Sequence, residues 1–257
     1  MRLSEHVYAP GALQPRHAHG ELTCSIILAG TLEERVGRRD VIAGALSMVV
    51  KSPGTEHSDR YGPSGVRLVR ITLDQEQFSH VRPWAGELGR WQWTHGGPAS
   101  RPFLSLVRAM HCPAADPGLH ARAWECLAAL AGDEGPRPGA SPPAWLELAR
   151  EALDDSLQPP RLAALAEAAG VHPVYLARQF RRWFGCSISG WVHRRRVRRA
   201  ADLIGQGCLP LGRVSLAAGF TDQAHMCRIF GREAGVTPAA YRNLLGSCDR
   251  SRRNGVH

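Results

Sequence analysis

Arg178-Gln-Phe-Arg-Arg-Trp-Phe-Gly-Cys-Ser187 and Arg228-Ile-Phe-Gly-Arg-Glu-Ala-Gly-Val-Thr237 are one pattern written twice. Arg178, Phe180, Arg182, Gly185 and Ser187 return as Arg228, Phe230, Arg232, Gly235 and Thr237, and Trp191 returns as Tyr241, each shifted by 50 residues. A repeat in register over this length means one supersecondary unit used twice. Each copy also has an upstream helical stretch ending at a glycine, Leu162–Ala169 before Gly170-Val171 and Leu211–Ala218 before Gly219-Phe220. Short helices joined through a single glycine have the pattern of helix-turn-helix units. Gly170 permits a turn with positive φ, and Pro173 stands where the first helical turn tolerates a missing N–H.

Helical spacing assigns the faces. In the first copy Leu162, Leu165, Ala166 and Ala169 face a core, and Leu176 and Phe180 lie inward at i, i+4 on the following helix. Val174, Ala177, Arg178 and Arg181 are left outside. In the second copy Thr221 or Asp222 supplies an N-cap oxygen. Met226 and Phe230 then face inward, and Gln223, Ala224, Cys227 and Arg228 outward. Arg178 and Arg228 thus occupy equivalent outer positions, from which a helix in the major groove can reach guanine O6 and N7. A single outward arginine is most often merely solvated; two in register favour DNA contact. Between the copies, Ile188–Ile204 reads as a helix containing Arg194-Arg-Arg-Val-Arg-Arg199. The expected phosphate contacts are Arg181, Arg182, Arg194, Arg195, Arg196 and Arg232.

Charge supports this reading. The 257-residue chain carries 32 basic and 23 acidic side chains, net +9, and every basic residue but Lys51 is arginine. Residues 1–144 hold 15 basic and 14 acidic groups, whereas 145–257 hold 17 and 9, net +8. That asymmetry suits a phosphate backbone. A composition of 44% hydrophobic and 21% charged residues is that of a globular chain. Apolar runs such as Ile26–Ala29 and Leu46–Val50 are far shorter than the roughly 20 residues of a membrane span, so no membrane association is expected. The first twenty residues carry His, Pro and Gly where a secretory signal needs an apolar core, which points to the cytoplasm. Seven cysteines without a C-x-x-C pair read as reduced thiols.

Upstream, Gly132–Pro143 packs three Gly and four Pro into twelve residues and reads as a linker. Its composition is poorly suited to a core shared across it. After it, Trp145, Leu148, Ala149, Ala152 and Leu153 form an apolar helical stripe behind Ser141-Pro-Pro. Before it, helices are expected over Pro102–His111 and Leu119–Ala131. Earlier still, Leu22–Leu28, Thr31–Val36, Leu46–Val50 and Val66–Leu73 are short, β-branched runs punctuated by Gly30, Gly37, Gly44, Pro53-Gly54 and Gly62-Pro63. Strands so spaced form a sandwich or barrel.

The segment Gly219–Arg242, with Gly219-Phe-Thr-Asp-Gln-Ala-His-Met at its head, closely resembles the signature of the AraC/XylS family of bacterial transcription regulators. The resemblance covers about 145–245. It implies two helix-turn-helix units joined by one helix, with base-facing residues Val174, Ala177 and Arg178, then Gln223, Ala224, Cys227 and Arg228. The chain departs from the family at His172, where a Ser cap is usual. Pro210 and Gly212 weaken the first helix of the second unit, and the small Val174 and Ala177 leave the first unit reading few bases beyond Arg178. More loosely, His17-Ala-His19, Gly30 and Pro53-Gly-Thr-Glu-His57 resemble the two cupin motifs. A metal-binding cupin would also place Glu shortly after His19, where Thr23 and Cys24 stand. His17, His19 and His57, with Cys24 or Glu21, can hold a divalent metal; otherwise they line an effector pocket or belong to the scaffold.

The resemblance therefore implies an α+β multidomain chain. Residues 1–131 form a cupin-like β-barrel with flanking helices that binds an effector and pairs subunits; 132–143 link; 144–245 form an all-α domain of two helix-turn-helix units; 246–257 are a disordered basic tail. The expected partners are double-stranded DNA, a small-molecule effector, a second copy in a homodimer, and RNA polymerase if the protein is an activator. No cofactor beyond the metal is expected, and no enzymatic activity. The rival, a metal-dependent cupin enzyme fused to a DNA-binding domain, is weakened by the missing Glu. An effector-independent regulator whose barrel only dimerises is the third reading.

Overall fold

A computed structural model describes residues 1–81, 90–112, 118–130, 141–155, 159–207 and 209–253. Strands β1 (Arg2–Tyr8), β2 (Leu13–His17), β3 (Leu22–Val36), β4 (Arg39–Ala43), β5 (Ser47–Lys51), β6 (His57–Leu73) and β7 (Gln92–His95) make one antiparallel sheet. Its order is β1-β6-β3-β5-β7, with β2 added to β6 and β4 to β3. The two runs expected on either side of Gly30 are one strand, β3. Gly30 bends it without ending it: φ is +84°, and the register with β6 shifts on both sides of the glycine. This is the signature of a bulge. A Cβ at Gly30 would lie 1.9 Å from the Gly65 carbonyl oxygen, so the close approach of the two long strands requires glycine.

Alternation along β3 divides the sheet into two faces. Leu22, Cys24, Ile26 and Leu28 join Met48, Val50, Val69 and Ile71 in a core completed by Phe103, Leu106 and Val107 of α2 (Ser100–Met110) and Ala123, Cys126 and Leu127 of α3 (Leu119–Leu130). On the other face Ile27, Leu32, Ala43, Tyr61, Val66 and Leu68 form a second apolar cluster. Buried polar residues, among them Glu34, Lys51, His57 and Asp59, accompany it. Between β6 and β7 lies a short helix, α1 (Gln75–Val81).

Seven further helices follow: α4 (Ala144–Asp155), α5 (Leu162–Ala168), α6 (Pro173–Phe184), α7 (Ile188–Gly205), α8 (Leu211–Ala217), α9 (Gln223–Ala234) and α10 (Pro238–Arg253). Contacts group Val197–His257 with Met1–Gly132 in one compact unit and Asp133–Arg196 in another. In the first, a single core runs from the sheet through Val197, Ala200 and Ile204 of α7 into Val214, Phe220, Met226, Phe230 and Tyr241. Polar bonds tie the same parts together. The Tyr241 hydroxyl donates to the Leu28 carbonyl, Arg67 Nη1 donates to the Leu245 carbonyl at 2.7 Å, and the Ala45 amide donates to Asp202 Oδ1 at 2.7 Å. Gly44 gives the carboxylate room: a Cβ there would sit 3.0 Å from both Asp202 oxygens. The expectation that no core is shared across the Gly/Pro-rich segment thus fails for the second helix pair. An apolar helical face reads the same in sequence whether it covers a helix or a sheet.

The other unit has its own core of Leu146, Ala149, Leu153, Leu165, Ala166, Leu176 and Phe180. Here the expected stripes need correction, since Leu148 is 64% and Leu162 39% exposed. Ala152 is also exposed, and Ala169 is half-buried. Leu146, Ala149 and Leu153, spaced i, i+3, i+7, are the inward set on α4. Residues 132–140 of the expected linker lie outside the described residues. So do 254–257 of the expected tail, whose earlier part, 246–253, continues helix α10.

Candidate functional site

The two helix pairs repeat in geometry as in sequence. Helices α6 and α9 each span 12 residues and end in a left-handed glycine, Gly185 at φ 65° and Gly235 at φ 75°. Each preceding turn also carries a left-handed glycine, Gly170 at φ 65° and Gly219 at φ 87°. Equivalent backbone bonds close these turns, Val171 N–H to the Ala166 carbonyl at 3.0 Å and Phe220 N–H to the Ser215 carbonyl at 2.9 Å. Ser187 Oγ accepts from Gly190 N–H at 3.1 Å, and Thr237 Oγ1 accepts from Ala240 N–H at 3.1 Å, opening α7 and α10 alike. Phe180 meets Trp191 at 5.8 Å between ring centroids, and Phe230 meets Tyr241 at 5.5 Å. The recurring small and aromatic residues are thus the caps and inner contacts of one repeated unit.

Both N-caps are filled. Asp222, not Thr221, caps α9, its Oδ1 accepting from His225 N–H at 2.7 Å; this bond holds its carboxyl below the usual range. On α6 the departure from serine is met by His172, whose Nδ1 accepts from Val174 N–H at 3.3 Å. With the starts fixed, Val174 and Arg178 are exposed on α6 and Gln223, Ala224 and Arg228 on α9; Ala177 and Cys227 are half-buried. Arg181 and Arg182 are exposed as well. Arg232 instead pairs with Glu233 at 3.2 Å, and its carbonyl accepts from Arg101. Arg194, Arg195 and Arg196 are half-buried rather than freely solvated. Burial lowers the Arg196 pKa, and its Nε is without a hydrogen-bond partner. Arg199, which sequence reasoning passed over, donates from Nε to the Ala217 carbonyl at 2.8 Å.

In the sheet, His17, His19 and His57 come together, with ring centroids 4.2 to 5.3 Å apart. Their ligand atoms lie within 4.8 Å of one another. The Nδ1 of His17 faces the Pro15 carbonyl at 2.8 Å and that of His57 the Thr55 carbonyl at 2.9 Å. Such bonds fix the tautomer that leaves Nε2 as a donor atom. His57 Nε2 is buried and without a hydrogen-bond partner. Burial, with Arg70 and His17 for His19 and with Lys51 for His57, pushes both down to about 4, so both rings are neutral at pH 7. The residue types and protonation fit a borderline divalent cation.

Cys24 and Glu21 do not join them. Cys24 is buried among Leu22 and Ile26 in the opposite core, and Glu21 pairs with Arg2 at 3.0 Å. Sequence reasoning missed the charged group beside the histidines: Lys51 contacts Glu34 and lies 3.5 Å from Asp59, and Asp59 lies 3.9 Å from His57. Trp91 and Trp93 donate to Glu34 at 2.6 and 2.7 Å. Burial alone would push Glu34 up, but Lys51 and the two indoles hold it below the usual range; burial prevails at Asp59, which is raised. The lone lysine of the chain was the one available signal.

Paired helices of this design define a helix-turn-helix protein. Residues 165–244 match the family model described as a helix-turn-helix domain. The chain is 32% identical over 129 residues to the HTH-type transcriptional regulator GlxA of Rhizobium meliloti (strain 1021), covering 50% of this chain and 40% of that one. It is 26% identical over 113 residues to the arabinose operon regulatory protein of Escherichia coli (strain K12), covering 36% and 39% respectively. Among solved structures it is similar to the C-terminal domain of AraT, a response regulator from Geobacillus stearothermophilus, at 26% identity and a TM-score of 0.38, over 40% of this chain and 88% of that domain. Over the matched stretches the chain is similar to AraC-type transcriptional regulators. It spans about two fifths of the length of the curated relatives named here.

Proposed function

We propose that the protein is a sequence-specific DNA-binding transcription regulator, effector-responsive and without enzymatic activity, acting in the cytoplasm. Its reader is the double helix-turn-helix of 144–245, and its sensor is the cupin-like domain of 1–131. The observation that carries this reading is the equivalence of α6 and α9: equal length, the same left-handed glycine C-cap, and Arg178 and Arg228 exposed at matching positions. Neither arginine makes an ion pair or side-chain hydrogen bond among the described residues, so both guanidinium forks are available to guanine. Val174, Ala177, Gln223, Ala224 and Cys227 complete the base-facing set. Arg181 and Arg182, with members of 194–196, serve the phosphates. Helices α2 and α3 pair two subunits, and an activating complex would engage RNA polymerase.

The test is binding to a library of single-base variants of a site selected from genomic DNA. Arg178→Ala and Arg228→Ala should each cost about 1–3 kcal/mol on the selected site and relax preference at one base pair. Arg195→Ala should weaken all sequences alike and lower the salt slope by about one. Uniform weakening by both recognition-helix variants would make these arginines phosphate clamps.

The buried, unpartnered Nε2 of His57 supports a second reading, in which His17, His19 and His57 hold a divalent metal that organises the sensor. Elemental analysis of protein purified without chelator checks it. Roughly stoichiometric metal, lost from a His57→Ala variant, is expected.

A further inference from the structure

Val174 is 69% exposed, whereas Leu176 and Phe180 of the same helix are fully buried. Among the described residues it neither joins nor packs against the apolar core of its unit. Its backbone is nonetheless fixed, because the Val174 N–H donates to Nδ1 of His172, the N-cap of α6, at 3.3 Å. The exposed alkyl group is therefore held at the start of the first reading helix, one turn before Arg178 and on the same face. Its counterpart on α9 is Ala224, also exposed but carrying a single methyl group.

A scattered apolar residue on a protein surface needs no explanation, but this one stands where a base edge would meet it. The major-groove edges of guanine, adenine and cytosine present hydrogen-bond donors and acceptors, which valine would strip of water and could not satisfy. Thymine alone adds a methyl group to that edge. Packing this methyl against the two γ-methyl groups of Val174 takes apolar surface of both out of water. Helical spacing then locates the base. Side chains one turn apart lie about 5–6 Å from one another and successive base pairs about 3.4 Å, so the thymine falls within about two base pairs of the pair read by Arg178.

We propose that Val174 reads a thymine through its C5-methyl group, beside the base pair contacted by Arg178. The proposal rests on the DNA-reading role of α6 and adds to it the chemistry of a second base in the first half of the site. It has a corollary for modified DNA. A cytosine standing at this position gains the same methyl group when it is converted to 5-methylcytosine, and its methylation strengthens binding without a dedicated pocket.

The experiment measures the affinity of the full-length protein for a selected site in which each thymine is replaced in turn by deoxyuridine, which lacks only the methyl group. The position so found is then filled with cytosine or 5-methylcytosine. Parent and Val174→Ala proteins are compared, the variant keeping its core because Val174 is exposed. For the parent, one deoxyuridine within about two base pairs of the Arg178 pair should weaken binding about fourfold, the worth of one buried methyl group, and 5-methylcytosine should bind about fourfold tighter than cytosine. In Val174→Ala both ratios should fall to about twofold or less, with affinity for the deoxyuridine site near that of the parent. If no thymine shows a methyl dependence that Val174→Ala removes, or if the one that does lies away from the Arg178 pair, the proposal is overturned while the regulator reading stands. Failure to select any site overturns both.

Discussion

Asp202 shows how a single side chain can be placed against its own electrostatic preference. Burial pushes its carboxyl up to about 6, although the Ala45 amide, Arg198 and Arg199 all favour the charged form. Against an ordinary value of 3.8, that gap corresponds to roughly 3 kcal/mol. The folded state therefore binds this proton more tightly than the unfolded chain, and the cost of the charge is absent below about pH 4 and complete above about pH 6. Asn keeps an oxygen for the Ala45 amide without the charge. Asp202→Asn is expected to raise the melting temperature at pH 7, the gain vanishing as pH falls from about 6 to about 4. His19, His57 and His95 run the other way: pushed down to about 4, chiefly by burial, they cost stability as pH falls from 6.5 toward 4. The variant should accordingly lose stability on acidification more steeply than the parent, which thermal scans across pH 4–8 measure directly.

At the scale of elements, what the sequence made legible was periodic and what it concealed was tertiary. The 50-residue repeat located α6 and α9 because glycine caps and inward aromatics are local requirements. Helices α2 and α3 fell within a residue or two of their expected ranges. Strand β1, by contrast, has its apolar alternation broken by Glu5 between Leu3 and Val7 and is held by pairing with β6, a long-range contact with no local trace. Glu34, Lys51 and Asp59 escaped notice because isolated charges in a strand look like surface until the sheet folds over them. Gly30 was mistaken for a strand end when it is a bend within one strand. Gly30→Ala would require positive φ of a residue with a Cβ and push that Cβ to 1.9 Å from the Gly65 carbonyl oxygen. A loss of about 3 kcal/mol or more is expected, measurable as a lower urea midpoint.

For the whole molecule, the partition of the core matters more than the partition of the sequence. Phe230 belongs to the same core as Leu22 and Phe103, while Phe180, its counterpart in the repeat, belongs to the core of the other unit. Two melting transitions are therefore expected by calorimetry. Phe180→Ala should lower one and Phe230→Ala the other, each by about 3–5 kcal/mol. Native-state hydrogen exchange should show α8–α10 opening together with the strands. A single transition shifted equally by both substitutions would contradict this division. The close fit of Gly44 beneath the Asp202 carboxylate carries an evolutionary corollary. A Cβ at 44 would press on both carboxylate oxygens of Asp202 at 3.0 Å, so a change at one site bears on the other. In an alignment of descendants of the same ancestor the two columns should covary, with 44 released from glycine chiefly in lineages where 202 has become smaller. Such paired changes would trace, through sequence history alone, which relatives keep α7 anchored to the sheet domain through position 202.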